Sequence, residues 1–420
     1  MDPRRSVVAR VLERACGARH GIVPPWQRVP REQADLPDTE NAFVGGSRDA
    51  GEHVIAGGFG RTVEDASCAA IAEALERYAA HMARYEVRSG SEVSRPVLDA
   101  ADFSLFSEEQ RARPGFEHPY AARRDARYAQ VYSLDDNSAT WVPEELVGLG
   151  ARAEVPLLPS TSTGLAAARE PLAAILRALE EVLERDALTV TWLASLGGRE
   201  VPLPRALVDP VVSRGGEVVA FDITQVWNPQ PVVIVLGQLP ARGLRRYAMG
   251  AACRRTRSAA LDKAWLEWLQ GVSFAGHYVR ENAARPVTRA SDVRSFHEHG
   301  AFYTWNPGEW PGLPIFSKRR GPPAPLEPPE PEPPVAQTLD ALRRAIGAAG
   351  ARLFYRDLTL PDVRDVGLSV VRVLSPDLAL LHGDERLPFL GGRARDVAWR
   401  YPDVAASDVA FDNRYPHPLG

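Results

Sequence analysis

Ser160-Thr-Ser-Thr-Gly164-Leu-Ala-Ala-Ala-Arg-Glu-Pro171-Leu-Ala-Ala-Ile175-Leu-Arg-Ala-Leu179-Glu-Glu181-Val182-Leu183-Glu184-Arg185-Asp-Ala187 is the stretch on which the reading of this chain turns. A small-residue turn centred on Gly164 runs into a helix. Pro171 falls where a first helical turn tolerates a missing N–H, and Ile175, Leu179, Val182 and Leu183 recur at helical spacing. Glu181 and Glu184 are one turn apart, so both carboxylates project from one side, with Arg185 directly after them. The same device occurs earlier as Glu73-Ala-Leu-Glu76-Arg77-Tyr-Ala, and a third helix carries Lys263, Glu267 and Gln270 at helical spacing.

Two helices that each present a carboxylate pair concentrate negative charge if they face one another, which is unfavourable unless cations sit between them. Hard oxygen ligands of this kind suit Mg²⁺, an ion usually shared with substrate phosphates. The plain alternative for either motif alone is a solvated helix face with internal ion pairs.

Working outward, 420 residues with a formal net charge of −4 describe a globular chain of two or three structural units. Neither a nucleic-acid groove nor a polybasic membrane surface is implied. No apolar run is long enough to span a bilayer and the first residues form no signal core, so a cytoplasmic protein is expected. Cys16, Cys68 and Cys253 lie far apart and fit neither a disulfide framework nor a zinc site. Cys68, in a helical apolar context, reads as a buried thiol. The histidines show no H-E-x-x-H or similar ligand spacing, so metal binding, if present, is by oxygen.

In chain order, residues 1–50 give a short extension with a helix over Val7 to Cys16 and a polar stretch around Pro24, Pro25, Pro30 and Pro37. Val54 to Thr62 reads as a strand ending in a glycine turn at Gly57, Gly58 and Gly60, then a helix from Val63 to Tyr85. Tyr128 to Leu134 and Thr140-Trp-Val make a hairpin around Asp135-Asp-Asn-Ser. Glu217 to Ile223 and Pro231 to Leu236 are paired strands, leading to a helix over Ala259 to Gln270 whose Trp265, Leu266 and Leu269 pack. Pro322 to Pro334, within a Pro-rich excursion over 306–335, is too dense in proline and glutamate to join a core. Leu339, Leu342 and Ile346 mark a further helix. Leu353-Phe-Tyr, Ser369 to Leu374 and Ala379-Leu-Leu-His are strands. By periodicity alone, the proline-spaced tail at 414–420 reads as a frayed end.

The ordered set Gly58-Phe-Gly-Arg-Thr, Glu73-Ala-Leu-Glu-Arg-Tyr, Ser162-Thr-Gly-Leu-Ala-Ala, Glu181-Val-Leu-Glu-Arg-Asp-Ala, Lys263-Ala-Trp-Leu-Glu-Trp-Leu-Gln270, Arg356-Asp-Leu-Thr and Val371-Arg-Val-Leu-Ser-Pro-Asp-Leu resembles the YcaO superfamily over roughly residues 50 to 420. The resemblance implies an α+β fold, mixed α/β with β-sheets flanked by helices around an ATP cleft, forming one catalytic domain over 51–420. It assigns Glu73, Glu76, Glu181 and Glu184 to Mg²⁺ and phosphate, and Arg61, Arg77, Thr163, Arg185, Lys263, Glu267 and Gln270 to the ATP site. Pro416-His-Pro418 is similar to the proline-spaced tail of azoline-forming members, which places Pro416 and Pro418 in the active site.

That branch implies an ATP-dependent cyclodehydratase acting on Cys, Ser or Thr of a ribosomal precursor peptide. The short N-terminus leaves no room for a leader-recognition module, so a separate leader-binding partner is expected, with a downstream dehydrogenase and a homodimeric assembly as further expectations. Several positions depart from the family pattern: Phe59 replaces a lysine, Ala69 and Ala70 a serine, Thr163 an asparagine, and Lys263 a frequent arginine. Arg61, Ser67 and the Thr163 hydroxyl are the substitutes at hand. A non-catalytic scaffold that docks peptide and partner enzymes is the competing class, and thioamide or macroamidine formation the competing chemistry.

Overall fold

The computed structural model describes residues 12, 14–17, 19–30, 36, 39–45, 56–116, 126–150, 158–328, 331–411 and 413–420. Most of the helix expected over Val7 to Cys16 lies outside them, as do Pro37, Val54 and Ile55.

β1 (Trp26–Val29), β2 (Glu40–Val44) and β3 (Ala56–Gly60) form an antiparallel sheet in that order. The glycines expected to make a turn are therefore inside a strand. The reason is the helix that follows, α1 (Val63–Met82), which folds straight back onto β3. A methyl group on Gly58 would lie 2.1 Å from the Ala66 carbonyl oxygen, and one on Gly60 2.7 Å from the Ala66 nitrogen. Gly58→Ala is expected to cost about 2–3 kcal/mol of stability, read by denaturant unfolding; an unchanged midpoint would show that the two elements separate freely. Thr62 caps α1 by accepting from the Asp65 N–H, and the helix stops at Met82, short of Tyr85, where Ala83 turns extended.

β4 (Val87–Ser89), β5 (Arg127–Ser133), β6 (Ala139–Pro143) and β7 (Leu165–Ala168) begin a second sheet, with Asn137 at positive φ in the expected β5–β6 hairpin. α2 (Pro171–Leu193) follows, with Pro171 at its first position and Ile175, Leu179, Val182 and Leu183 buried as their spacing requires. β8 (Arg199–Glu200), β9 (Glu217–Asp222), β10 (Val232–Ala241) and β11 (Leu244–Cys253) make an antiparallel sheet ordered β11-β10-β9-β8. β10 is apolar at successive positions because both its faces are covered. Ile234 and Leu236 join the α2 core, whereas Val233 and Val235 pack with Trp265 and Trp268 of α3 (Arg257–Glu281).

β11 was not legible as a strand: Met249-Gly-Ala-Ala-Cys is a run of mostly small residues, and they are small because α3 presses on them. A methyl group on Gly250 would meet the Ala264 oxygen at 2.1 Å. The same approach explains Gly271, where α3 was expected to stop near Gln270 but runs on to Glu281; a methyl group there would sit 2.9 Å from Ala248 Cβ.

α4 (Phe296–Trp305) and α5 (Val335–Ala348) precede β12 (Phe354–Asp357) and β13 (Ser369–Leu374), which return to complete the second sheet, ordered β4-β5-β12-β13-β7 with β6 on β5. The stretch expected to be an excursion is not uniform. Trp310, Leu313 and Ile315 are buried in the main core, and Ala324 is buried with its N–H donating to the Glu200 carbonyl at 2.7 Å. Ala379-Leu-Leu-His is not a strand, because the Ala379 N–H is taken by the Asp186 carboxylate instead of a ladder.

The fold is thus α+β, antiparallel sheets flanked by helices. α2 runs between the second and third sheets, touching β7 and β13 on one side and β10 and β11 on the other. α1 reaches β7 and β13 from the first sheet, and α3 bridges β3 and β11. This arrangement brings the three motif helices to one place. No helix among the described residues is long and apolar enough to cross a membrane.

Candidate functional site

Glu76 of α1, Glu181 and Glu184 of α2 and Glu267 of α3 converge closely enough for their charges to be felt by one another, with the charge of Glu73 acting on Glu76. Burial, then the charges of Glu181 and Glu73, push the Glu76 carboxyl up to about 8. Burial also raises Glu184 to about 8; Arg185 opposes this, while Glu267 and Glu181 add to it. Glu181 is raised by burial against the pull of Arg185, with Glu267 adding to the rise. Burial opposes ionisation of Glu267 too, yet Lys263 at 3.0 Å and Arg185 hold it below the usual range.

Arginines interleave with these acids. Arg77 Nη2 is 2.6 Å from Glu73 Oε1, and Arg185 Nη2 is 3.5 Å from Glu181 Oε1. Arg185 Nε lies 3.2 Å from Glu184 Oε1 without hydrogen-bond alignment, and neither atom has another hydrogen-bond partner among the described residues. The i,i+4 pairs that a solvated face would carry are present, but the face is turned inward. Asp186, next in the motif, is fully buried and serves structure: it receives Arg400 Nε at 2.9 Å and Gln225 Nε2 at 2.9 Å.

Above α2, Gly164 has φ of +83°, and its backbone faces the Glu181 carboxyl closely enough to favour its charged form. A side chain there would strike the Val373 oxygen at 2.0 Å, so glycine is required twice over. Thr163 is buried; its hydroxyl accepts from Thr161 at 3.1 Å. The loop is fixed by Arg372 of β13, a residue given no role by sequence reasoning. Its guanidinium donates to the carbonyls of Thr161 (2.7 Å), Thr163 (2.5 Å) and Val147 (3.1 Å). Burial pulls its pKa down to about 10, against the stabilising charges of Glu181 and Glu76, which leaves it charged at neutral pH. The signal was present in Ser369-Val-Val-Arg-Val-Leu, since an arginine on an otherwise apolar strand must be offset by partners.

Other expected residues stand at the rim. Arg61 is half exposed and 3.7 Å from Asp262, and Lys263 is joined to the cluster through Glu267. Gln270 lies beside Gly57, where a methyl group would be 3.1 Å from Gln270 Nε2. Ser67 is no substitute for the missing serine, because its hydroxyl donates back to the Glu64 carbonyl. Phe59 packs against the Trp265 and Trp268 cluster. Cys68 is half-buried, not buried; Cys253 is the buried thiol.

The segment 414–420 is no frayed end. Pro416, His417, Pro418 and Leu419 are buried. The Tyr303 hydroxyl donates to the Pro416 carbonyl at 2.6 Å, the Met249 N–H to the Pro418 carbonyl at 3.1 Å and Trp192 Nε1 to the Tyr415 carbonyl at 2.7 Å. The segment therefore covers the free edge of β11. His417 is pushed down to about 3, chiefly by burial and then by His382, with the charge of Arg185 contributing; that last effect places the segment within electrostatic reach of the acid cluster.

Among the described residues no group of three or more His, Cys, Asp or Glu is arranged to hold a metal by itself. Mg²⁺ is commonly bound through one or two carboxylates plus substrate phosphates. Oxygen donors whose charge is disfavoured first by burial and then by neighbouring carboxylates, with Glu184 Oε1 buried and lacking a hydrogen-bond partner among the described residues, fit such an ion.

The structure resembles a heterocyclase in complex with substrate and cofactor (TM-score 0.73, 18% identity, 98% of this chain and 57% of that one). It also resembles YcaO from Methanopyrus kandleri bound with AMPPCP and Mg²⁺ (TM-score 0.60, 18% identity, 89% and 88%) and the E. coli microcin synthetase McbBCD complex (TM-score 0.60, 15% identity, 86% and 90%). At these identities the likeness is one of fold. The chain spans just over half the length of the first of these, and half that of the heterocyclase TruD. Among curated proteins none matches the chain. The family model for the YcaO cyclodehydratase, described as ATP- and Mg²⁺-binding, matches residues 57–379, from β3 past β13. That match covers most of the chain and contains all three acidic helices, so this protein belongs to the YcaO family, with ATP and Mg²⁺ as its cofactors.

Proposed function

We propose that this chain is the ATP-dependent cyclodehydratase component that converts Cys, Ser or Thr of a ribosomally made precursor peptide to thiazoline or oxazoline. The observation that carries the reading is the convergence of carboxylates from α1, α2 and α3 with Arg77 and Arg185 between them, in a family that binds ATP and Mg²⁺. The azoline branch is favoured over thioamide or macroamidine chemistry by the proline-spaced segment, packed within reach of Arg185.

In this reading Glu73, Glu76, Glu181 and Glu184 hold the metal and Arg77, Arg185, Glu267 and Gln270 bound the nucleotide, with Thr163, Lys263 and Arg61 at its edge. Bound Mg²⁺ supplies neutralisation of phosphate charge. A substrate thiol or hydroxyl loses its proton and adds to the preceding amide carbon, and the resulting oxyanion takes the γ-phosphoryl group of ATP with ADP as the leaving group. Phosphate then leaves with the former amide oxygen, and loss of the amide proton gives the C=N bond. An amide oxygen is otherwise a very poor leaving group. The residues' own part is to keep fixed cations at the developing charge, in a buried setting where they act strongly.

The peptide is brought by a separate leader-binding protein, which raises its effective concentration. A homodimer and a downstream dehydrogenase complete the proposed assembly. The test is reconstitution with the neighbouring gene products and counting of water losses by mass spectrometry. ATP-dependent loss of water from the peptide is expected, and ATP binding without turnover would favour the scaffold reading instead.

A pH dependence follows. Glu76 and Glu184, each pushed up to about 8, hold protons at neutral pH in the ligand-free chain. A carboxylate must lose its proton to ligate a cation, so Mg²⁺-ATP affinity rises with pH toward 8 and levels off above it, by up to about tenfold per pH unit for each proton released. Calorimetry in buffers of different ionisation enthalpy reads the released protons; a flat profile between pH 6 and 8 would place the ligands elsewhere.

A further inference from the structure

Helix α4 holds the proline-spaced segment at successive points along one face. His299 Nδ1 lies 3.1 Å from the His417 carbonyl, the Tyr303 hydroxyl donates to the Pro416 carbonyl at 2.6 Å, and Gly300 lies against Gly420. A methyl group on Gly300 would be 2.8 Å from Gly420 Cα. Positions 299, 300 and 303 share a helix face by their spacing.

A carbonyl only accepts, so His299 carries its proton on Nδ1 and presents a bare Nε2. That atom is buried without a hydrogen-bond partner among the described residues, 3.6 Å from Glu385 Oε1. His417 behaves alike: its Nε2 donates to the His382 carbonyl at 2.9 Å, which leaves Nδ1 as the bare nitrogen, with no aligned hydrogen-bond partner among the described residues. The two rings stack with centroids 3.8 Å apart and planes 12° from parallel. An unpaired buried acceptor is a cost that a leucine or phenylalanine filling the same space would not incur. What offsets it is the donor on the other side of each ring, and both donors fix backbone carbonyls of this region.

We infer that His299, Gly300 and Tyr303 are positioning residues, whose task is to set the register and depth at which residues 416–420 lie along α4 and the edge of β11. The inference rests on the reading above, that this segment works in ring formation. None of the three residues is assigned to substrate, nucleotide or metal.

The experiment compares His299→Leu, His299→Asn and Tyr303→Phe with the wild-type chain in the partner-reconstituted system. It measures kcat for water loss, KM for ATP, and hydrogen exchange at the Met249 amide, which donates to the Pro418 carbonyl and so reports the segment's seating. Asparagine can place an N–H near the position of Nδ1. His299→Leu and Tyr303→Phe are expected to speed exchange at Met249 and lower kcat about tenfold, with KM for ATP within twofold. His299→Asn should recover most of both. Faster exchange with unchanged kcat would refute positioning while leaving the cyclodehydratase reading in place. Unchanged exchange would refute the anchor itself, and a parallel loss of kcat and ATP affinity would reduce the residues to general stability. A wild-type chain that forms no rings would overturn the reading and this inference with it.

Discussion

Removal of residues 416–420 lowers ring formation by at least about a hundredfold, the scale expected when reacting groups are held about an ångström out of place. Mg²⁺-ATP affinity should change far less, because the carboxylates of α1, α2 and α3 remain. The deletion also costs stability. Leu419 belongs to the main core, and the hydrogen bonds from Tyr303 and the Met249 amide end on the removed residues. A loss on the order of 3–5 kcal/mol is expected from these terms together. The assay is therefore run well below the variant's unfolding temperature, with nucleotide binding measured on the same sample. Rings formed at the wild-type rate by a folded, truncated chain would show the segment to be packing only.

Glu181→Gln with Glu184→Gln should lower Mg²⁺-ATP affinity by at least about a hundredfold and ring formation by more, since the cation they would hold stabilises charge on the transferring phosphoryl, and one such stabilising group is worth about 10²–10³ in rate. The sign of its stability effect is the diagnostic. In the ligand-free chain burial raises both carboxyls, so Glu184 already holds its proton at neutral pH and charge on Glu181 is disfavoured, with Arg185 pulling the other way. Neutral isosteres therefore remove little favourable charge, and the side-chain amide introduced at position 181 keeps an oxygen toward the Gly164 backbone. The double variant should unfold at the same or higher temperature than wild type, a gain of up to about 1 kcal/mol, as happens when a charged functional site is neutralised. Marked destabilisation with unchanged nucleotide affinity would make these residues structural.

The repeated Glu-x-x-Glu-Arg spacing made the acid cluster legible, because a helix fixes which side chains share a face. Spacing could not show that α1 and α2 face one another across β7 and β13, which is a tertiary fact. The errors have a common cause in close packing. Gly57, Gly58 and Gly60 read as a turn, the third helix as ending at Gln270 just before Gly271, and Gly250 to Cys253 as no element, yet each of these residues is small where a helix lies directly on a strand. Absence of a side chain looks the same in sequence whether it serves a turn or a contact. The segment 414–420 lacked periodicity for a related reason: it is held by carbonyls, and the residues holding them, His299, Tyr303 and Met249, lie far away in sequence. Arg372 was visible as a charge in an apolar strand, but its partners are backbone oxygens that no side-chain pattern announces.

The central claim, that ATP activates a peptide amide oxygen at the cluster of Glu76, Glu181 and Glu184, is tested most directly by isotope transfer. A precursor peptide labelled with ¹⁸O at the amide carbonyl preceding a reactive Cys, Ser or Thr is processed by the reconstituted enzyme with Mg²⁺-ATP in unlabelled water. The account predicts that the label appears in inorganic phosphate, one oxygen for each ring formed. Rings formed with label-free phosphate would contradict it.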